Sequence, residues 1–137
     1  MVIDASALLA ILADRPERRT LEAAVAADPV RLVSAVTRLA AQIAMIARHG
    51  PDGALRLDQL LTEIGVVIAP FDEAQGTLAR HAFARFGEGR HPAALDLAAC
   101  AAYALSVSEA EPLLYAGGGW RMTDVERGSA DGTVRQP

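Results

Sequence analysis

Four short runs, Met1–Ile3, Arg31–Val33, Val66–Ala69 and Leu113–Tyr115, read as strands, the first as a buried parallel one, and the stretches between them carry leucine and isoleucine at helical spacing. Leu8, Leu9 and Leu12 share one helix face, and Leu39, Ile43 and Ile46 repeat at i, i+4 and i+7. Leu57, Leu60, Leu61 and Ile64 mark another helix, closed by Gly65. A further helix spans Leu21 to Ala27, a long one runs from a cap at Asp72 to about Phe86, and another spans Leu97 to Leu105. Strands that alternate with helices in this way need crossover connections. The expected fold is therefore α/β, with a parallel central sheet of four or five short strands and helices on both faces. In such sheets the functional residues gather at the carboxyl ends of the strands. That directs attention to Asp4, Ser34, Pro70 to Asp72, and Ala116 to Trp120.

At 137 residues the chain suits a single domain, expected over 1–125, with a polar and poorly ordered tail over 126–137. Aromatic residues are only 4% of the chain, so alanine, leucine, valine and isoleucine must build the core. The net charge of −4 argues against a protein that grips nucleic acid by overall charge. All 13 basic residues are arginine, and lysine and asparagine are both missing, a pattern expected of a very GC-rich genome. The lone Cys100 excludes an internal disulfide and any paired-cysteine metal site. No apolar run is long enough for a membrane span, and the apolar stretch 1–13 carries Asp4 with no basic segment before it. A cytoplasmic protein is expected.

Asp4 follows the first strand directly. A carboxylate there suits a metal ligand or a general base, and it equally suits the cap of the helix that opens at Ala5. Asp96 stands before another helix and is open to the same two readings, whereas Asp72 and Asp124 read as cap or turn residues. Gly117 to Gly119 lack the Lys-Ser/Thr of a phosphate loop and read as a flexible turn. His49, His81 and His91 have no ligand spacing, and Cys100 reads as a small core residue. Arg80, Arg85 and Arg90 form either a weak RNA-facing patch or a solvated helix face.

The opening Met1-Val2-Ile3-Asp4-Ala5-Ser6-Ala7-Leu8 resembles that of PIN-domain nucleases, and most closely the VapC toxins of bacterial toxin–antitoxin pairs. The resemblance continues through Ser34-Ala35-Val36-Thr37, Phe86 to Leu95, Cys100 to Leu105, Glu111 to Leu114, and Thr123-Asp124-Val125. It implies a Mg²⁺- or Mn²⁺-dependent endoribonuclease in which carboxylates from distant segments converge to hold the ion. It also implies a homodimer and an antitoxin whose amphipathic segment lies in an apolar groove, with Leu8, Leu9, Leu12, Ile43 and Ile46 as candidate lining. The sequence departs from the family where the acids belong: those positions hold Ala40, Ala99, Gly118 and Gly119, and Asp4 alone matches, with Asp96 as a possible second ligand. The chain is therefore expected to be a toxin with weak or no catalysis. The alternative is an outright pseudoenzyme or inactivated form that binds an antitoxin or dimerises.

Overall fold

The structure, a computed structural model, describes residues 1–130 and the backbone of 134–135. Six strands form one sheet: β1 (Val2–Ile3), β2 (Leu32–Ser34), β3 (Val67–Ala69), β4 (Leu113–Leu114), β5 (Glu126–Arg127) and β6 (Val134–Arg135). Their spatial order is β3-β2-β1-β4-β5-β6; the first five are parallel and β6 runs antiparallel at one edge. Six helices connect and cover them: α1 (Ala5–Leu12), α2 (Arg18–Ala27), α3 (Ala35–His49), α4 (Asp52–Glu63), α5 (Glu73–Phe86) and α6 (Leu97–Glu109). The expected α/β architecture is the observed one. No helix among the described residues is long and apolar enough to cross a membrane.

The central strands are apolar, apart from Ser34 at the end of β2, because both faces of the sheet are buried. Alternate residues feed two separate cores. Ile3, Val33 and Leu114 pack with α1, α2, α3 and α4 on one face, while Val2, Leu32 and Leu113 pack with α5 and α6 on the other. Helix α6 is buried from Cys100 to Ser106, and Cys100 is a core residue as expected. Leu8 is fully buried beside Ile11 in the first of these cores, so it lines no groove; the expected partner surface loses it.

Val66–Ala69, expected as a strand, supplies β3 at one edge of the sheet, with Val67 62% exposed because no neighbour covers its outer side. One expectation needs correction. The chain from residue 126, expected to fray, begins instead as β5, whose Arg127 pairs with Leu113. Glu126 and Arg127 are half-buried and polar, so they carry no strand pattern in sequence. The rest of that expected tail falls largely outside the described residues.

The sheet order places the functional region. From β1 the chain moves outward on one side to β2 and β3, then returns to add β4 on the other side of β1. The carboxyl ends of β1 and β4 therefore diverge into helices on opposite faces and leave a crevice between them. Asp4 leaves β1 at this point, and its backbone N–H donates to the Leu114 carbonyl at 2.9 Å.

Helix α3, which carries Ala40, is braced from outside by α4. Their approach is so close that a Cβ at Gly53 would collide with the Met45 carbonyl. Backbone on both sides leaves no flexible group to move aside. Gly53→Ala should therefore cost about 1–3 kcal/mol, the usual scale of overpacking, despite alanine's better helix propensity. Chemical denaturation checks this; an equal or higher midpoint would contradict the α3–α4 contact.

Candidate functional site

Three donors converge on one oxygen of Asp4. Its Oδ2 accepts from the backbone N–H of Ser6 at 3.1 Å, from the Ser6 hydroxyl at 2.5 Å and from the Trp120 indole Nε1 at 3.3 Å. The first is an ordinary helix cap, and Asp4 is the N-cap of α1. The other two reach beyond the helix. The Ser6 Oγ also accepts from the Ala116 backbone N–H at 3.1 Å, so Ser6 bridges the carboxylate to the chain leaving β4. Asp4 is both a cap and the centre of the crevice, so the two readings of it from sequence describe one residue.

Trp120 arrives from a single turn of 3-10 helix over Gly119–Met122. The Thr123 hydroxyl donates to the Trp120 carbonyl at 2.7 Å and fixes the turn. The indole stacks on Tyr115, with ring centroids 6.0 Å apart, and the Arg127 guanidinium lies 4.7 Å from the Tyr115 ring centroid. Both rings are buried in the α5–α6 core. The indole is thus held between a packed ring and the carboxylate it donates to.

The glycines before it are not equivalent. Gly117 takes φ +92°, the left-handed region that suits glycine. At Gly119 an added Cβ would stand 2.6 Å from the Ala93 carbonyl oxygen, so the backbone there is packed against the loop between α5 and α6. At Gly118 nothing lies within 4 Å of an added Cβ. The flexible turn expected from sequence is therefore constrained at two of its three glycines.

Around Asp4 lies a cleft of about 390 Å³. Ala40 and Ala44 of α3, Ala93 to Asp96, Ala98 and Ala99 of α6, Leu9 of α1, and Gly119 all face it. The positions singled out from sequence at 40, 99 and 119 therefore do meet Asp4 in space, and they bring methyl groups or no side chain. Gly118 is not among the lining residues. Asp96 shares the cleft and caps α6, its Oδ1 accepting from the Ala99 backbone N–H at 2.9 Å. Asp72 caps α5 and Asp124 accepts from the Tyr103 hydroxyl at 2.7 Å, so both act elsewhere.

Such a cleft offers a divalent cation two carboxylates, Asp4 and Asp96, and otherwise methyl groups and glycine. Mg²⁺ held through so few carboxylates keeps several waters and leans on substrate phosphates. Here Oδ2 of Asp4 already accepts three hydrogen bonds, and Asp96 is engaged as a cap. Among the described residues no three acidic, histidine or cysteine side chains come together as a metal cage.

The remaining candidates separate. Arg80, Arg85 and Arg90 line none of this cleft. Arg85 is paired with Asp124 at 3.2 Å, and Arg80 contacts the neighbouring His81. The grouping of Leu9 and Leu12 with Ile43 and Ile46 in one groove also fails. Leu9 faces the acid cleft, whereas Leu12 lines a second cleft with Ile11, Arg18, Arg56, Leu60 and Glu63. Ile43 and Ile46 stand exposed with Leu39 on the outer side of α3.

The PIN-domain family model matches residues 1–125. A Mycolicibacterium smegmatis protein named Ribonuclease VapC is 44% identical over 125 residues, covering 91% of this chain and 97% of the relative. Ribonuclease VapC30 of Mycobacterium tuberculosis is 38% identical over 125 residues, covering 91% of this chain and 95% of the relative. Among solved structures, the Mycobacterium tuberculosis toxin VapC20, described as cleaving the sarcin-ricin loop, superposes with a TM-score of 0.67. Its sequence identity is 16%, with 85% of this chain and 89% of that one covered, so it speaks for the fold.

Asp4 is only 5% exposed, and burial raises its pKa above the ordinary 3.8 against the lowering effect of Ser6 and Trp120, with Asp96 adding a small repulsion. A raised native pKa means that folding favours the protonated acid. The ionised form destabilises the fold fully above the raised value, and the effect vanishes below the ordinary carboxylate range. Asp4→Asn keeps an acceptor oxygen for Ser6 and Trp120 without the charge. It should melt higher than the parent at pH 7, with the advantage shrinking to nothing as pH falls below 3.8. Thermal melts across that range check this, and a variant less stable by the same margin at every pH would contradict it.

Proposed function

This chain belongs to the PIN-domain family and is VapC-like over residues 1–125, and on that premise we propose that it is a toxin-type ribonuclease fold with weak or no catalysis. Ribonucleases of this kind depend in general on a divalent ion held by clustered carboxylates. One observation carries the reading: the cleft around Asp4 is walled by Ala40, Ala44, Ala98 and Ala99, and the other carboxylate facing it, Asp96, is the cap of α6. Besides Asp4 and Asp96, the polar side chain facing the cleft from α1 is Ser6, which donates to the very acid it would need as its base.

Partner binding rests on different residues. Two adjoining clefts of about 330 and 230 Å³ share Ile11, Arg18, Leu60 and Glu63 and lie among α1, α2 and α4. Their apolar floor, with Ile64 and Leu12, and their charged rim suit the amphipathic helix of a cytoplasmic antitoxin. The exposed Leu39, Ile43 and Ile46 stripe on α3 suits a second copy of the chain in a homodimer. Neither surface needs the lost acids. We therefore keep antitoxin binding and dimerisation as the functions of this chain that survive.

The test is restoration. Ala40→Glu, Ala99→Asp and Gly118→Asp together should raise Mg²⁺- or Mn²⁺-dependent RNA cleavage on the order of 100-fold, the scale of a well-placed charged group in a site. The parent should not exceed the background seen in chelator. Parent cleavage that requires the metal and disappears in Asp4→Asn would contradict the reading.

Partner binding has its own check. Leu12→Asp places a charge in the second cleft, and Leu12 is only partly buried. The variant should stay folded by circular dichroism and lose at least about tenfold in affinity for the antitoxin helix, the equivalent of ~1.4 kcal/mol. A folded variant with unchanged affinity would remove Leu12 from the partner surface.

A further inference from the structure

The lost acids leave one question that the loss itself does not answer. A buried carboxylate stripped of its cation should be unstable, since an uncompensated charge in an apolar crevice is strongly unfavourable. Asp4 is nonetheless buried, at the junction that the sheet order creates between β1 and β4. We propose that Trp120 has taken the cation's place: its indole N–H holds Asp4, so that the walls of the cleft are assembled with no metal. This deepens the non-catalytic reading above and rests on it.

Two independent features of the structure carry the proposal. The first is the hydrogen-bond geometry at Oδ2. The indole donor comes from a residue 116 positions away in sequence, and both partners are buried. Together with the Ser6 hydroxyl, it supplies donors of the kind that a cation and its waters would otherwise supply, and it does so on the side of the carboxylate that faces the β4 exit. The bond is aimed: stacking on Tyr115 fixes the plane of the indole, and the Thr123 hydroxyl fixes the backbone that carries it.

The second feature is the backbone that delivers Trp120. Gly119 lies against the Ala93 carbonyl, closer than any side chain permits. A residue with a Cβ at 119 would push the turn away from the 93–96 loop and draw the indole off Asp4. Gly118, one residue earlier, is open. The turn is thus packed for the latch and no longer for a side chain at 119, although it would still admit one at 118. Restoring an acid at 119 is therefore incompatible with the present turn, whereas restoring one at 118 is not.

Trp120 acts here as a positioning residue, and the readout is metal dependence of stability. The parent should melt at the same temperature in chelator and in ~10 mM Mg²⁺ or Mn²⁺, because no site is there to be linked to folding. Trp120→Phe keeps the ring and removes the donor. It should melt about 3–6 °C lower, the scale of one buried hydrogen bond to a charged group in a chain of this size. Gly119→Ala should melt lower by a similar amount or more, and Gly118→Ala should not. Saturable stabilisation of the parent by either metal would overturn the proposal, even if Trp120→Phe fails to fold. So would a Trp120→Phe melt equal to the parent's. Saturable stabilisation without RNA cleavage would overturn the latch alone, whereas metal-dependent RNA cleavage by the parent that disappears in Asp4→Asn would overturn both the non-catalytic reading and the latch.

Discussion

The Asp4 carboxylate holds together the part of the fold where two halves of the sheet diverge. On one side it caps α1, and through Ser6 and Trp120 it ties that helix to the segment leaving β4. The strands here are two residues long, so backbone pairing alone gives little to fix the crevice. A polar group must sit at this junction, because the backbone of both segments needs partners there. Burying it raises the energy of its charged form, and the three donors on Oδ2 offset part of that. The cap of α1, the Ser6 bridge and the indole N–H all meet at this one oxygen.

The surrounding alanines follow from the same constraint. Carboxylates clustered at a sheet edge repel one another and are tolerable only with a cation among them. On the proposed reading, Ala40 and Ala99 stand where acids would repel Asp4, and the carboxylate is met by a neutral donor instead. The chain keeps the scaffold that positions a nuclease site, and each strand and helix that would deliver an acid is in place. What is delivered is a methyl group, a glycine or an acid already committed as a cap. The surfaces proposed for partners on α1, α2, α3 and α4 are built from other residues.

Much of this was legible in the sequence, for physical reasons that can be stated. The alternation of buried strand runs and helical leucine spacing fixes the layer architecture, since a parallel sheet buried on both faces is the arrangement that satisfies both. Caps at Asp72 and Asp96 were readable because a short acid before an apolar helix has few other roles. The meeting of positions 4, 40, 99 and 119 came from resemblance, as nothing local in Ala40 or Ala99 marks them. Strand β5 was hidden because Glu126 and Arg127 show no apolar pattern; they pair only because β4 leaves an edge. Leu8 and Leu12 stand one helical turn apart on α1, and the first is fully buried whereas the second, the last residue of the helix, is only partly so. The role of Trp120 was also hidden, although it is the single tryptophan in an aromatic-poor chain and follows a glycine run at a strand end. A lone indole at such a place is a signal worth reading as a donor.

The central claim is that the Asp4 carboxylate is satisfied from within the protein. Its most direct test uses the indole N–H itself, which gives a single resonance in ¹⁵N-labelled protein because the chain has one tryptophan. Mn²⁺ bound at Asp4 would sit within a few ångströms of that proton and broaden its signal beyond detection. The resonance is predicted to persist, sharp and protected from solvent exchange, as Mn²⁺ is raised to millimolar concentration. Its selective disappearance at micromolar Mn²⁺ would show a cation at Asp4 and contradict the account.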